Sequence, residues 1–221
     1  MSDYKPPKPE KNILDHPKFG LSAKPLPGAK RPCTLKIGLY NNNPQVTIWT
    51  GLEGPEMRIQ AGLDPQSLTL MMDELIDMGS ERDPSKQKEK YVRAIDTYDK
   101  ERNIASKVVV GRQPDGVIYI SVIEPSKNTK VIFELGNSYF HHLVEPGSNS
   151  PIPNDEISRK WARSWAGTIK GIVPAAQAAA YKHYSPNGGG GGKKSYGNNG
   201  GGGNYGNQNN GGGSSDDDLP F

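Results

Sequence analysis

From Cys33 the chain alternates Cys33, Leu35, Ile37 and Leu39 against Thr34, Lys36, Gly38 and Tyr40. That period of two predicts a strand with one buried face over 33–41. Asn41, Asn42, Asn43 and Pro44 then turn the chain. A second strand over 45–51 sets Val46 and Ile48 against Thr47 and Trp49. A third over 57–63 sets Met57, Ile59 and Ala61 against Arg58 and Gln60. Asp64 is a good N-cap and Pro65 suits a first turn. Leu68, Met71, Met72, Leu75 and Ile76 follow at spacings of three and four, which predicts a helix that Gly79 ends. Residues 81–102 are dense in charge, with Tyr91, Ile95 and Tyr98 at near-helical spacing, and read as a second exposed helix or a long excursion. Three more strands are expected over 105–112, 116–124 and 129–136. Asn154, followed by Asp155 and Glu156, is expected to cap a helix carrying Ile157, Trp161, Trp165 and Ile169. An interruption at Pro174 and a resumption through 175–180 are expected there, and the four-residue spacing assigns both tryptophans to the core.

The order is strand, strand, strand, helix, strands, helix. It predicts a mainly β domain: an OB-like barrel of five or six strands, with a helix between strands 3 and 4 and another at the C-terminal end. SH3-like barrels and open α+β sheets produce similar strings. Both flanks look different. Residues 1–30 hold Pro6, Pro7, Pro9, Pro17, Pro25 and Pro27 among lysines, which favours an extended, mobile arm. Residues 185–213 are mostly Gly and Asn and have almost nothing to bury, so they read as a disordered tether with a span of roughly 30 Å on a random-coil scale. The boundaries are therefore an arm over 1–30, an OB-like domain over 31–184, the linker over 185–213 and a tip over 214–221.

Composition narrows the function. No apolar run approaches the length a membrane span needs, and the first residues lack the apolar stretch of a secretion signal, so a soluble, cytoplasmic protein is expected. The single Cys33 rules out an internal disulfide framework and a cysteine-built zinc site. No GxSxG, HExxH or phosphate-binding GxxxxGK[ST] pattern is present, and adjacent His141 and His142 would face opposite ways on a strand. The reading is a non-enzyme without a cofactor or metal. The formal net charge of +3 includes Asp216, Asp217 and Asp218, so the body is more basic than the total suggests. Such a body suits a polyanionic partner.

The polar sides of the expected strands give that partner a surface. If Leu35, Ile37, Val46, Ile48 and Ile59 are buried, Lys36, Tyr40, Trp49 and Arg58 project from the other side. Lys107, Arg112 and Tyr119 extend the set from later strands. Rings stack unpaired bases for about 1–3 kcal/mol each while cations neutralise phosphates, so this combination points to single-stranded nucleic acid.

The chain ends in Asp216, Asp217, Asp218, Leu219, Pro220 and Phe221. An acidic terminus alone reads as charge balance. A hydrophobic tip on a long tether reads as a peptide for docking, its carboxylates meeting basic groups while the Phe ring enters an apolar pocket. This ending resembles that of bacterial and phage single-stranded DNA-binding proteins, in which an OB domain is followed by a Gly-rich linker and an acidic tip ending in Pro-Phe. The resemblance implies binding of single-stranded DNA in replication, recombination or repair, with the tip recruiting replication and repair proteins. The Pro/Lys-rich arm, the charged 81–102 stretch and the Trp161–Trp165 helix depart from the bacterial housekeeping pattern. A virus-encoded member acting in the host cytoplasm is the better fit, with the oligomeric state left open. Two other classes use the same features: an RNA-binding Gly-rich protein of cold-shock type, and a scaffold whose tip is its main activity.

Overall fold

The computed structural model describes residues 13–81, 90–127, 129–137, 142–147 and 152–181. The chain divides into one unit over Met1–His183 and a second over Tyr184–Phe221. The linker, the tip residues Asp216 to Phe221 and part of the charged stretch lie outside the described residues.

Among its described residues the first unit has two four-stranded antiparallel sheets and two long helices. The first sheet runs in sequence order through β1 (Leu21–Ala23), β2 (Cys33–Tyr40), β3 (Asn43–Trp49) and β4 (Arg58–Gly62). Helix α1 (Pro65–Ser80) follows, then the second sheet of β5 (Tyr91–Tyr98), β6 (Ile104–Arg112), β7 (Ile118–Ile123) and β8 (Val131–Glu134), and finally α2 (Asn154–Ala180). Cys33, Leu35, Ile37, Val46, Ile48 and Ile59 leave one side of the first sheet, and Val108, Val110, Ile118, Ile120 and Phe133 leave one side of the second. Both sets join Leu68, Met71, Met72 and Leu75 of α1 and Ala162, Trp165, Ile169 and Val173 of α2 in one continuous core. Alternation of period two and period 3.6 thus directs the same apolar side chains to one place.

The expected five- or six-stranded barrel differs from this arrangement. Every strand pairs with its neighbour in sequence, α1 separates β4 from β5, and among the described residues no ladder closes one sheet onto the other. The sheets meet instead through packing of β4 on β6 and β7 and of β1 on β8.

Three further differences have local causes. The arm is anchored over part of its length: Leu14 is fully buried in the core, and Leu21–Ala23 pairs with Cys33–Leu35 as an edge strand. Residues 91–98 are a strand, not a helix; Tyr91 and Ile95 face the core but Arg93 and Thr97 share that side, which hides the alternation. Asn154 is the first residue of α2 rather than a side-chain cap, and the helix continues through Pro174.

The two helices approach closely at Gly79. A Cβ built there would lie 2.6 Å from the Arg159 carbonyl oxygen and from Arg163 Cγ. The sequence signal taken as a helix stop is thus a point of backbone contact near the end of α1. Trp165 is buried and donates its indole N–H to the Phe19 carbonyl at 2.9 Å, tying α2 to the N-terminal segment.

Candidate nucleic-acid interface

Because Leu35, Ile37, Val46, Ile48 and Ile59 enter the core, alternate residues of β2, β3 and β4 form the outer face of the first sheet. The register arranges them in rows. Trp49 lies between Thr34 and Arg58, Thr47 between Lys36 and Gln60, and Gln45 between Gly38 and Gly62, while Tyr40 faces Asn43 at the hairpin end. Four of the seven expected nucleic-acid residues, Lys36, Tyr40, Trp49 and Arg58, therefore share one face.

Tyr40 is 60% and Trp49 39% exposed, high values for rings on a folded domain. The Arg58 guanidinium carbon sits 5.7 Å from the centroid of the Trp49 ring, a cation–π placement that holds a positive charge beside an open aromatic surface. Lys36 is half-buried, its Cγ 3.6 Å from a Cβ built on Gly20. Between the rings the β3 and β4 positions are polar and neutral, with Lys36 at the β2 end of the Thr47 row. Gln60 Nε2 donates to Gln45 Oε1 at 3.0 Å and to Thr47 Oγ1 at 3.2 Å, which fixes both amides.

The β4 edge of this face is tied to the second sheet. Gln60 donates its backbone N–H to Glu124 Oε2 at 3.1 Å, and Thr97 Oγ1 donates to the Gly62 carbonyl at 2.9 Å. Lys127 Nζ bridges Glu124, at 2.9 Å, to the Arg58 carbonyl. The base of the Arg58 side chain is thereby held by a charged cluster from the other sheet.

The remaining three expected residues are elsewhere. Lys107 and Tyr119 lie on the outer side of the second sheet. Lys107 Nζ is 3.2 Å from Asp96 Oδ1, close in charge although not aligned as a hydrogen bond, so part of its charge is already answered. Tyr119 is half-buried with its ring over Gly111, where a Cβ would come within 2.7 Å of the phenol oxygen. Arg112 is withdrawn from the surface: it ends β6 on the core side, is 4% exposed, and among the described residues its Nε and Nη1 have no hydrogen-bond partner. The expectation that Arg112 faces a polyanion is corrected on this ground. Parity explains the slip, since Lys107 and Arg112 are an odd number of residues apart and one strand cannot point both the same way.

Gln45, Thr47 and Gln60 were missed by sequence reasoning. They share the parity of Trp49 and Arg58 within their own strands, which is the signal that would have found them, but they are neither aromatic nor cationic.

No family model matches the chain, and no curated protein matches it. Among solved structures, a chain of the Trypanosoma bruciei MRP1/MRP2 crystal structures is similar over 72% of this chain and 86% of that one. Its identity is 8% and the TM-score 0.38, a likeness too loose to assign either a family or an activity.

Proposed function

We propose that this protein binds single-stranded DNA without strong sequence preference, using the outer face of the β1–β4 sheet, and acts in replication, recombination or repair. The observation that carries the reading is the exposed Trp49 ring with the Arg58 guanidinium beside it, on the same face as Lys36 and Tyr40. An unpaired base stacks on either ring, the cations meet phosphate, and neither interaction asks which base is present. Successive same-side residues of a strand are about 6.8 Å apart, so the three steps from Trp49 to Tyr40 span roughly 20 Å, room for a few extended nucleotides. The acidic Leu-Pro-Phe ending supports a second role for the chain, recruitment of replication and repair enzymes by a tethered peptide.

Anisotropy of a fluorescent oligothymidine tests this, titrated with protein at low and at physiological salt, with the matching RNA strand and a DNA duplex as competitors. The reading expects tight binding of the deoxy strand that weakens as salt rises, and poor competition by duplex. Stronger competition by RNA transfers the site to a 2′-hydroxyl reader. Absence of binding rejects the reading.

A further inference from the structure

The edges of the two sheets are not alike. β1 is three residues long and β8 four, and the two pack together. β4 is tied to the second sheet through Gln60 and Glu124. β5 runs for eight residues, Tyr91–Tyr98, and among the described residues no strand pairs with its free side. A long open edge presents a row of backbone donors and acceptors that folded proteins ordinarily shorten, charge or cover.

The phase of the ladder shows which groups these are. Gln113 donates its N–H to the Val117 carbonyl at 2.8 Å, closing the β6–β7 hairpin. Lys107, Val109 and Gly111 therefore exchange hydrogen bonds with β7, and Val108, Val110 and Arg112 turn to β5, where they meet Ile95, Arg93 and Tyr91. The N–H and C=O groups of Val92, Ala94 and Asp96 are left pointing off the sheet. Arg93 Nη1 donates to the Val92 carbonyl at 3.2 Å, a local contact that agrees with this direction. Val92 and Tyr98, near the two ends of the edge, are 39% and 59% exposed.

The strand is complementary to itself. Residues directly opposite in an antiparallel pair share a face, so a two-fold axis between identical strands passes where a residue faces its own copy. An axis at Ile95 sets Val92 opposite Tyr98 and Arg93 opposite Thr97, and joins Ala94 to Asp96 through backbone groups. No like charges then face each other along the strand. Asp99, just past its end, falls diagonal to Arg93 of the other copy, an attraction of opposite charges. An axis at Arg93 or at Asp96 opposes like charges, and one at Ala94 sets Val92 against Asp96.

We infer that the β5 edge is an interface for a second copy of this chain, in which the two β5 strands pair antiparallel about Ile95 and join two four-stranded sheets into one. The inference does not depend on the proposed DNA binding.

Sedimentation equilibrium of the complete chain over about 1–100 μM tests it. A reversible dimer is expected. Ala94→Pro removes an N–H that points off the edge, so the bonds to β6 stay while two symmetry-related bonds across the axis are lost. The dissociation constant of the dimer should rise about 10- to 100-fold, with the circular dichroism spectrum unchanged. The double variant Val92→Lys/Tyr98→Lys changes only exposed side chains and sets lysine against lysine across the pair, so it should weaken the dimer as well and serves if the proline variant does not fold. A native chain that is monomeric throughout overturns the inference. So does a dimer that either variant, when folded, leaves unchanged, since another surface then holds the copies together.

Discussion

Single residues separate what is open to a partner from what fills space. Trp49 and Arg58 pair an exposed ring with a cation, whereas Trp165 is enclosed and engaged with the Phe19 carbonyl. Arg112 shows the opposite problem, a guanidinium taken out of water with Nε and Nη1 unanswered among the described residues. Burying an unpaired charge costs several kcal/mol, more than the aliphatic stem recovers by packing. Arg112→Met is therefore expected to leave stability unchanged or raise it by about 1–4 kcal/mol in urea unfolding, with oligothymidine affinity unaltered. A large loss of stability, or of binding, contradicts the placement of this side chain. The parity of Cys33–Tyr40 and Asn43–Trp49 was legible from sequence because Leu35, Ile37, Val46 and Ile48 alternate with Thr34, Lys36, Gln45 and Thr47 there. The place of Arg112 was not legible, since a basic residue after a run of valines gives no sign that it is core-facing.

At the scale of elements, α1 was the most readable part of the chain. Asp64 accepts from the Ser67 N–H as its N-cap, and Leu68, Met71, Met72 and Leu75 are buried as their spacing requires. The Ser67 hydroxyl, followed by the Ser67 N–H, holds the Asp64 carboxyl below the ordinary aspartate value. A carboxyl lowered on folding stabilises the folded state at any pH above its ordinary value, and the contribution disappears as pH falls through the lowered one. Asp64→Ala should cost about 1 kcal/mol at neutral pH, a deficit that shrinks on acidification, while Asp64→Asn should lose less and show a flatter pH response. A deficit independent of pH speaks against the cap. β5 was the least readable element. The Tyr91 hydroxyl donates to Glu74 Oε2 at 3.0 Å and Arg93 stacks 4.1 Å from the Tyr91 ring centroid, so polar contacts with α1 do at this edge what apolar alternation does elsewhere. β1 escaped notice for a related reason: it is three residues long and follows a proline-rich run that argues for mobility.

At the scale of the molecule, the number and order of strands left the closure of the sheet undecided. Six expected strands fit a barrel, whereas eight fit two sheets, and the additional pair are the short β1 and the polar β5. The shared face of Lys36, Tyr40, Trp49 and Arg58 is indifferent to that difference because it depends only on the parity of β2, β3 and β4. The tail follows from charge alone. Asp216, Asp217 and Asp218 resemble a polyanion to any basic groove, so removal of 214–221 should tighten oligothymidine binding, mostly at low salt where screening is weak. Equal affinity of the shortened and complete proteins rejects that competition.

The central claim is that a base stacks on Trp49. Tryptophan fluorescence followed during titration with oligothymidine tests it most directly, comparing the native protein with Trp49→Phe, since Trp165 is buried and Trp161 only partly accessible. The account predicts quenching in the native protein that is largely lost in Trp49→Phe, although the variant still binds. Quenching of equal depth in both proteins would contradict it.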